Sequence, residues 1–69
     1  MNFMKITLNG REKDLNGAPT LFEFIEEMNP QNQRLVAEVN GDIVKNPHWN
    51  EIKLKDGDRI ELVTFVGGG

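Results

Sequence analysis

The sequence predicts an α+β domain: one short helix packed on one face of a mixed sheet of four to five strands. Three observations carry that prediction. Apolar and polar residues alternate with period two near both ends of the chain, as half-buried strands require. A capping signal at Thr20 opens a segment with helical spacing, Leu21, Phe24, Ile25 and Met28. Turn dipeptides, Asn9-Gly10, Asn40-Gly41 and the Asp56-Gly57 corner, cut the remainder into short runs. Strands at both ends and one helix between them place that helix on a single sheet face.

The first strand runs from Met1 to Leu8, with Met4, Ile6 and Leu8 on one face and Phe3, Lys5 and Thr7 on the other. Asn9-Gly10 turns the chain, because both residues tolerate positive φ, and Arg11 to Leu15 returns as a polar edge strand. Asn16-Gly17-Ala18-Pro19 breaks it. Thr20 and Glu23 then form a capping box, each side chain bonding the other's backbone N–H. Phe22 is out of phase with the apolar stripe and is expected to be partly exposed. Asn29-Pro30 ends the helix, since a residue before proline avoids the α region.

Leu35 to Asn40 is the third strand, with Leu35, Ala37 and Val39 facing one way and Val36 and Glu38 the other. Ile43-Val44 is a short fourth strand after the Asn40-Gly41 turn. Lys45 to Glu51 is read as irregular, and Ile52 and Leu54 resume a brief alternation. Arg59 to Val66 is the last strand, with Ile60 and Leu62 on one face and Glu61, Val63 and Phe65 on the other. The predicted core is Met4, Ile6, Leu8, Leu21, Phe24, Ile25, Met28, Leu35, Ala37, Val39, Ile60 and Leu62. Residues 1–65 are thus read as one domain and residues 66–69 as a flexible glycine tail.

Bulk properties narrow the function. A chain of 69 residues is one small domain. It has no Cys, hence no disulfide, thiol nucleophile or Cys-based zinc site, which fits a reducing compartment. No apolar run is long enough to span a membrane and no signal-peptide segment opens the chain, so the cytoplasm is the expected location and a membrane is not an expected partner. The net charge of −3 argues against binding nucleic acid through its phosphates.

Catalytic groups are scarce. The sequence lacks Ser, Tyr and Cys, and its single His, His48, has no evident nucleophile or orienting partner. Asp56-Gly57-Asp58 lacks the further ligands of a calcium loop and reads as turn chemistry. Glu23, Glu26 and Glu27 read as a solvated helix face. Two features remain. Val63 and Phe65 point away from the core face of the last strand; if the first strand lies beside it, Phe3 joins them in an exposed apolar patch, the candidate docking surface. The patch runs into Gly67-Gly68-Gly69, which offers an unhindered arm ending in an anionic α-carboxylate.

At this point a family is recognisable. Strand, hairpin, helix and strands closing on a Gly-Gly end resemble the ubiquitin-like β-grasp fold, and within it the ThiS family of thiamine-biosynthesis sulfur carriers. The residues that carry the resemblance are Met4 to Gly10, Thr20-Leu21, Val39-Asn40-Gly41-Asp42-Ile43-Val44, Trp49, Leu54 to Val63, and the glycine tail. Met1-Asn2-Phe3 extends beyond the usual start, and Gly67 is additional to the required pair. The resemblance implies a protein co-substrate that is not itself an enzyme. An E1-like, ThiF-like adenylyltransferase would dock on the patch, admit Gly67 and Gly68 to its channel and adenylate the Gly69 carboxylate with ATP. Sulfur from a persulfide donor would replace AMP, leaving a thiocarboxylate on Gly69 for a ThiG-like thiazole synthase. ATP would be bound by the partner, and the carrier itself would hold no cofactor or metal.

Two other readings fit the same residues. One is a carrier for a different sulfur-transfer pathway, such as the small subunit of molybdopterin synthase. The other is a β-grasp binding module in which the sheet does the work and the tail is inert.

Overall fold

The computed structural model describes residues 3–65; Met1, Asn2 and the expected tail at residues 66–69, including Gly67, Gly68 and Gly69, lie outside the described residues. Strands β1 (Phe3–Leu8) and β2 (Arg11–Asn16) form the first hairpin, followed by helix α1 (Leu21–Met28). Strands β3 (Leu35–Val39) and β4 (Asp42–Val44) form a second hairpin, and β5 (Arg59–Thr64) closes the sheet. The order across the sheet is β2-β1-β5-β3-β4. Only β1 and β5 run parallel, with Thr7 opposite Arg59 and Leu8 opposite Ile60; the other pairings are antiparallel. This is the five-stranded mixed sheet with one helix expected of a ubiquitin-like β-grasp.

Each turn is built from the residues that mark it. Asn9 and Asn40 take positive φ values of 50° and 54°, and Gly10 and Gly41 follow at 83° and 91°. A left-handed pair of this kind matches the right-handed twist of two antiparallel strands, which is why Asn-Gly occurs there. Helix α1 begins at the capping box: the Glu23 N–H donates to Thr20 Oγ1 at 3.1 Å, and the Thr20 N–H donates to Glu23 Oε1 at 2.8 Å. Two of the orphan donors of the first turn are thereby satisfied.

The core lies between the helix and one face of the sheet. Ile6, Leu21, Phe24, Ile25, Ala37 and Ile60 are buried as expected, and the remaining predicted core residues are half-buried against them. Leu15, Trp49 and Leu54 are also buried. Leu15 is the one apolar residue on the inner face of a polar strand and pairs with Met4. Leu54 is drawn in by a short crossing away from the main sheet. Its N–H donates to the Pro19 carbonyl at 2.9 Å, and the Leu21 N–H donates to the Ile52 carbonyl at 2.7 Å. This crossing also seats the N-terminus of α1.

The segment read as irregular contains a 3-10 helix, Asn46–Glu51, with Pro47 in its first turn. Proline fits there because its fixed φ suits the turn and its missing N–H has no helical acceptor to lose. Trp49 packs inward from it, and its indole N–H donates to the Val44 carbonyl at 2.8 Å. Among the described residues, no helix is long and apolar enough to cross a membrane.

Candidate functional site

Strand β5 runs through the middle of the sheet, and its position is fixed by two turn asparagines. The Asn9 carboxamide bonds the main chain of Leu62 twice: Oδ1 accepts from the Leu62 N–H at 2.8 Å, and Nδ2 donates to the Leu62 carbonyl at 3.2 Å. It mimics a strand residue and extends the β1–β5 ladder past the end of β1. Asn40 acts on the other side. Its Oδ1 accepts from the Arg59 N–H at 2.9 Å and its Nδ2 donates to Asp58 Oδ1 at 3.0 Å. The second oxygen of the buried Asp58 accepts from the Lys55 N–H at 2.8 Å. Neutral amides thus satisfy backbone groups at both shoulders of β5.

With β5 held, alternation decides which residues reach the outer face. Ile60 and Leu62 turn toward the helix; Glu61 and Val63 turn away. Val63 is directly opposite Val36 on β3, and both are exposed. Ile43 stands opposite Glu38 on β4, diagonal to Val36 on the same face, and is 64% exposed. Just past the strand, the Phe65 N–H donates to the Arg34 carbonyl at 3.1 Å, carrying the ladder one step further. The Phe65 ring lines a shallow hollow with Val36, Ile43 and Trp49. Phe65 is therefore partly covered at the sheet end and 43% exposed.

Val36, Ile43, Val63 and Phe65 thus form one apolar strip across β4, β3 and β5, ending at Phe65, the last described residue. A contiguous strip of this kind costs solvation unless a partner covers it. Glu38 and Glu61 border the strip on the same face.

Phe3 is exposed on the outer face too, but the register separates it from Val63. Thr7 is level with Arg59, so Phe3 lies four residues before that level and Val63 four residues beyond it. At roughly 3.3 Å per residue the two are about 26 Å apart along the strands. Lys5, Thr7, Arg59 and Glu61 occupy the space between. The expected patch of Phe3, Val63 and Phe65 is corrected to that extent: parallel pairing sends Phe3 to the opposite end, and the neighbours of Val63 come from β3 and β4. The sequence carried the relevant signal in the outward phase of Val36. What it lacked was the strand order.

The arrangement is suited to binding, and among the described residues it holds no evident catalytic group. His48 Nδ1 lies 3.2 Å from Glu51 Oε1 as an exposed pair one 3-10 turn apart. Among the described residues, no cluster of three or more His, Asp or Glu side chains is placed to hold a metal ion.

Comparison with known proteins agrees with this architecture. The ThiS family model matches residues 6–69. The sulfur carrier protein ThiS of Bacillus subtilis is 32% identical over 93% of this chain and 98% of its own length. A thiazole synthase of Paramagnetospirillum magneticum is 30% identical over 96% of this chain, which spans 20% of that protein's length. The crystal structure of the thiamine biosynthesis protein ThiS from Geobacter metallireducens superposes with a TM-score of 0.81 at 28% identity, covering 96% of this chain and all of the other. A family model spanning nearly the whole sequence, a full-length relative and a matching solved fold show that the chain belongs to the ThiS family.

Proposed function

We propose that this chain is a sulfur carrier of thiamine biosynthesis, acting as a protein co-substrate through a thiocarboxylate on Gly69. A carboxylate oxygen of Gly69 attacks the α-phosphorus of ATP in an E1-like, ThiF-like enzyme, and pyrophosphate leaves. The terminal sulfur of a persulfide donor attacks the acyl-adenylate carbonyl and displaces AMP. A second thiol cleaves the resulting S–S bond, which leaves the thiocarboxylate and a disulfide. A ThiG-like thiazole synthase then accepts the sulfur. ATP and all catalytic groups belong to the partners.

The observation that carries the proposal is an exposed apolar strip that includes Phe65, four residues before Gly69 in the sequence. Val36, Val63, Ile43 and Phe65 offer a docking surface that ends one residue before Val66. A partner seated there is positioned to receive Gly67 and Gly68, which fit a narrow channel because they have no side chains. Family membership supports the carrier role. Proteins named thiazole synthase that contain a segment similar to this chain over a fifth of their length support a thiazole synthase as acceptor.

The test is the intact mass after incubation with ATP, the adenylyltransferase and a sulfur source. Exchange of oxygen for sulfur adds about 16 Da, nominally the same as oxidation of one Met, so an alkylation that labels thiocarboxylate and spares Met sulfoxide is run in parallel. An ATP-dependent, alkylatable species that disappears on deletion of Gly69 is expected. Sulfur accepted by the deleted protein, or no shift with a competent enzyme system, overturns the proposal.

A further inference from the structure

The chain contains three Asn-Gly steps, Asn9-Gly10, Asn16-Gly17 and Asn40-Gly41. Asn-Gly is the sequence at which a side-chain amide is most open to attack by the next backbone nitrogen, because glycine presents no side chain to block the approach. The other asparagines precede proline, which has no N–H to attack with, or a residue with a bulky side chain.

Exposure does not separate the three steps, since Asn9, Asn16 and Asn40 are all exposed. Hydrogen bonding does. Both ends of the Asn9 carboxamide are held by Leu62, and both ends of the Asn40 carboxamide by Arg59 and Asp58. Either amide must break two bonds before its carbonyl carbon can swing toward the following nitrogen. The Asn16 side chain makes no hydrogen bond to any described residue. Asn16 is also the last residue of the edge strand β2, and Gly17 turns out of it at φ 80°. Strand ends open more readily than strand centres.

We propose that Asn16-Gly17 is a site of spontaneous deamidation and isoaspartate formation, and that the fold holds Asn9-Gly10 and Asn40-Gly41 unreactive. The Gly17 nitrogen, losing its proton to base, forms a bond to Asn16 Cγ, and the C–N bond to the side-chain nitrogen breaks with release of ammonia. Water opens the cyclic imide at either carbonyl, giving aspartate or isoaspartate. Each product adds a negative charge beside Asp14. Isoaspartate also lengthens the main chain by one carbon next to the buried Leu15, at the corner that leads into α1.

The test follows the folded protein and the urea-unfolded protein through days in mildly alkaline buffer. Peptide mapping quantifies conversion at each asparagine, and an isoaspartate methyltransferase with labelled methyl donor detects the isoaspartate. In the folded protein Asn16 is expected to convert at least about tenfold faster than Asn9 or Asn40, the effect of freeing an amide from two hydrogen bonds. In urea the three rates are expected to converge, and Asn16→Gln should remove most labelling of the folded protein. Equal rates at the three steps in the folded state, protection of Asn16 as strong as that of Asn9, or a spread that persists in urea overturns the assignment.

Discussion

Glu38 and Glu61 stand directly opposite one another where β3 pairs with β5, on the face turned away from the helix. Opposed residues in an antiparallel pair bring their Cβ atoms to about 5 Å, and like charges there oppose folding. The pair borders the apolar strip, so its cost to the free protein would become useful against a partner that brings a cation. Glu61→Gln is expected to raise stability by about 0.2–1 kcal/mol in thermal unfolding. It is also expected to slow association with the proposed adenylyltransferase partner and flatten the salt dependence of the on-rate. A less stable variant, or docking with unchanged salt dependence, would contradict this role.

The separation of Phe3 from Val63 gives a prediction with an internal control. Val63→Asp and Phe65→Asp place a charge in the strip; Phe3→Asp places the same charge on the same sheet face at the far end. Val63→Asp is expected to weaken adenylyltransferase binding by at least about tenfold, the range of a central interface anchor. Its effect on stability should stay within about 1 kcal/mol, since the site is exposed. Phe3→Asp should bind normally. Titration calorimetry alongside thermal melts checks all three variants, and equal losses at Phe3 and Val63 would mean that the partner covers the whole outer face.

What was legible in the sequence was local. The capping box needs only Thr20 and Glu23, three residues apart, and the Asn-Gly turns need two adjacent residues; all take the expected geometry. What was illegible depends on contacts far apart in sequence. Leu54 is buried because its strand fragment meets Pro19 across the helix entrance, and the brief alternation of Ile52 and Leu54 does not say which segment it meets. Trp49 turns inward because its indole N–H finds the Val44 carbonyl. The placement of Phe3 in the candidate patch failed in the same way. The outward phases of Phe3, Val36 and Val63 were readable, but the neighbour of Val63 is set by strand order and register, which alternation does not encode.

Asn9 offers a test of how β5 is held. Its side chain replaces a ladder residue for Leu62, and its backbone has φ 50°. Asn9→Gly keeps the conformational freedom and loses both hydrogen bonds, whereas Asn9→Ala loses both and adds strain at positive φ. The glycine variant is expected to cost about 1–2 kcal/mol, and the alanine variant about 1 kcal/mol more. Urea denaturation of the two variants checks the order. If Asn9→Gly proved neutral, the ladder extension to Leu62 would be dispensable.

The Trp49 indole separates packing from hydrogen bonding at the other end of the sheet. Trp49→Phe keeps an aromatic ring in the core and leaves the Val44 carbonyl without its donor. The expected cost is about 1–3 kcal/mol, from the unsatisfied acceptor together with the smaller ring. Because Trp49 and Phe65 line the same hollow, the native indole is also a reporter of what happens at the strip. Binding of the proposed adenylyltransferase should shift Trp49 emission in the native protein and in a Phe3→Asp variant. In a Val63→Asp variant the shift should appear only at higher partner concentration. Since it is the only Trp in this chain, partner tryptophans replaced by phenylalanine make the signal specific. An emission spectrum unchanged by saturating partner would place the docking surface away from the β3–β4 end of the sheet.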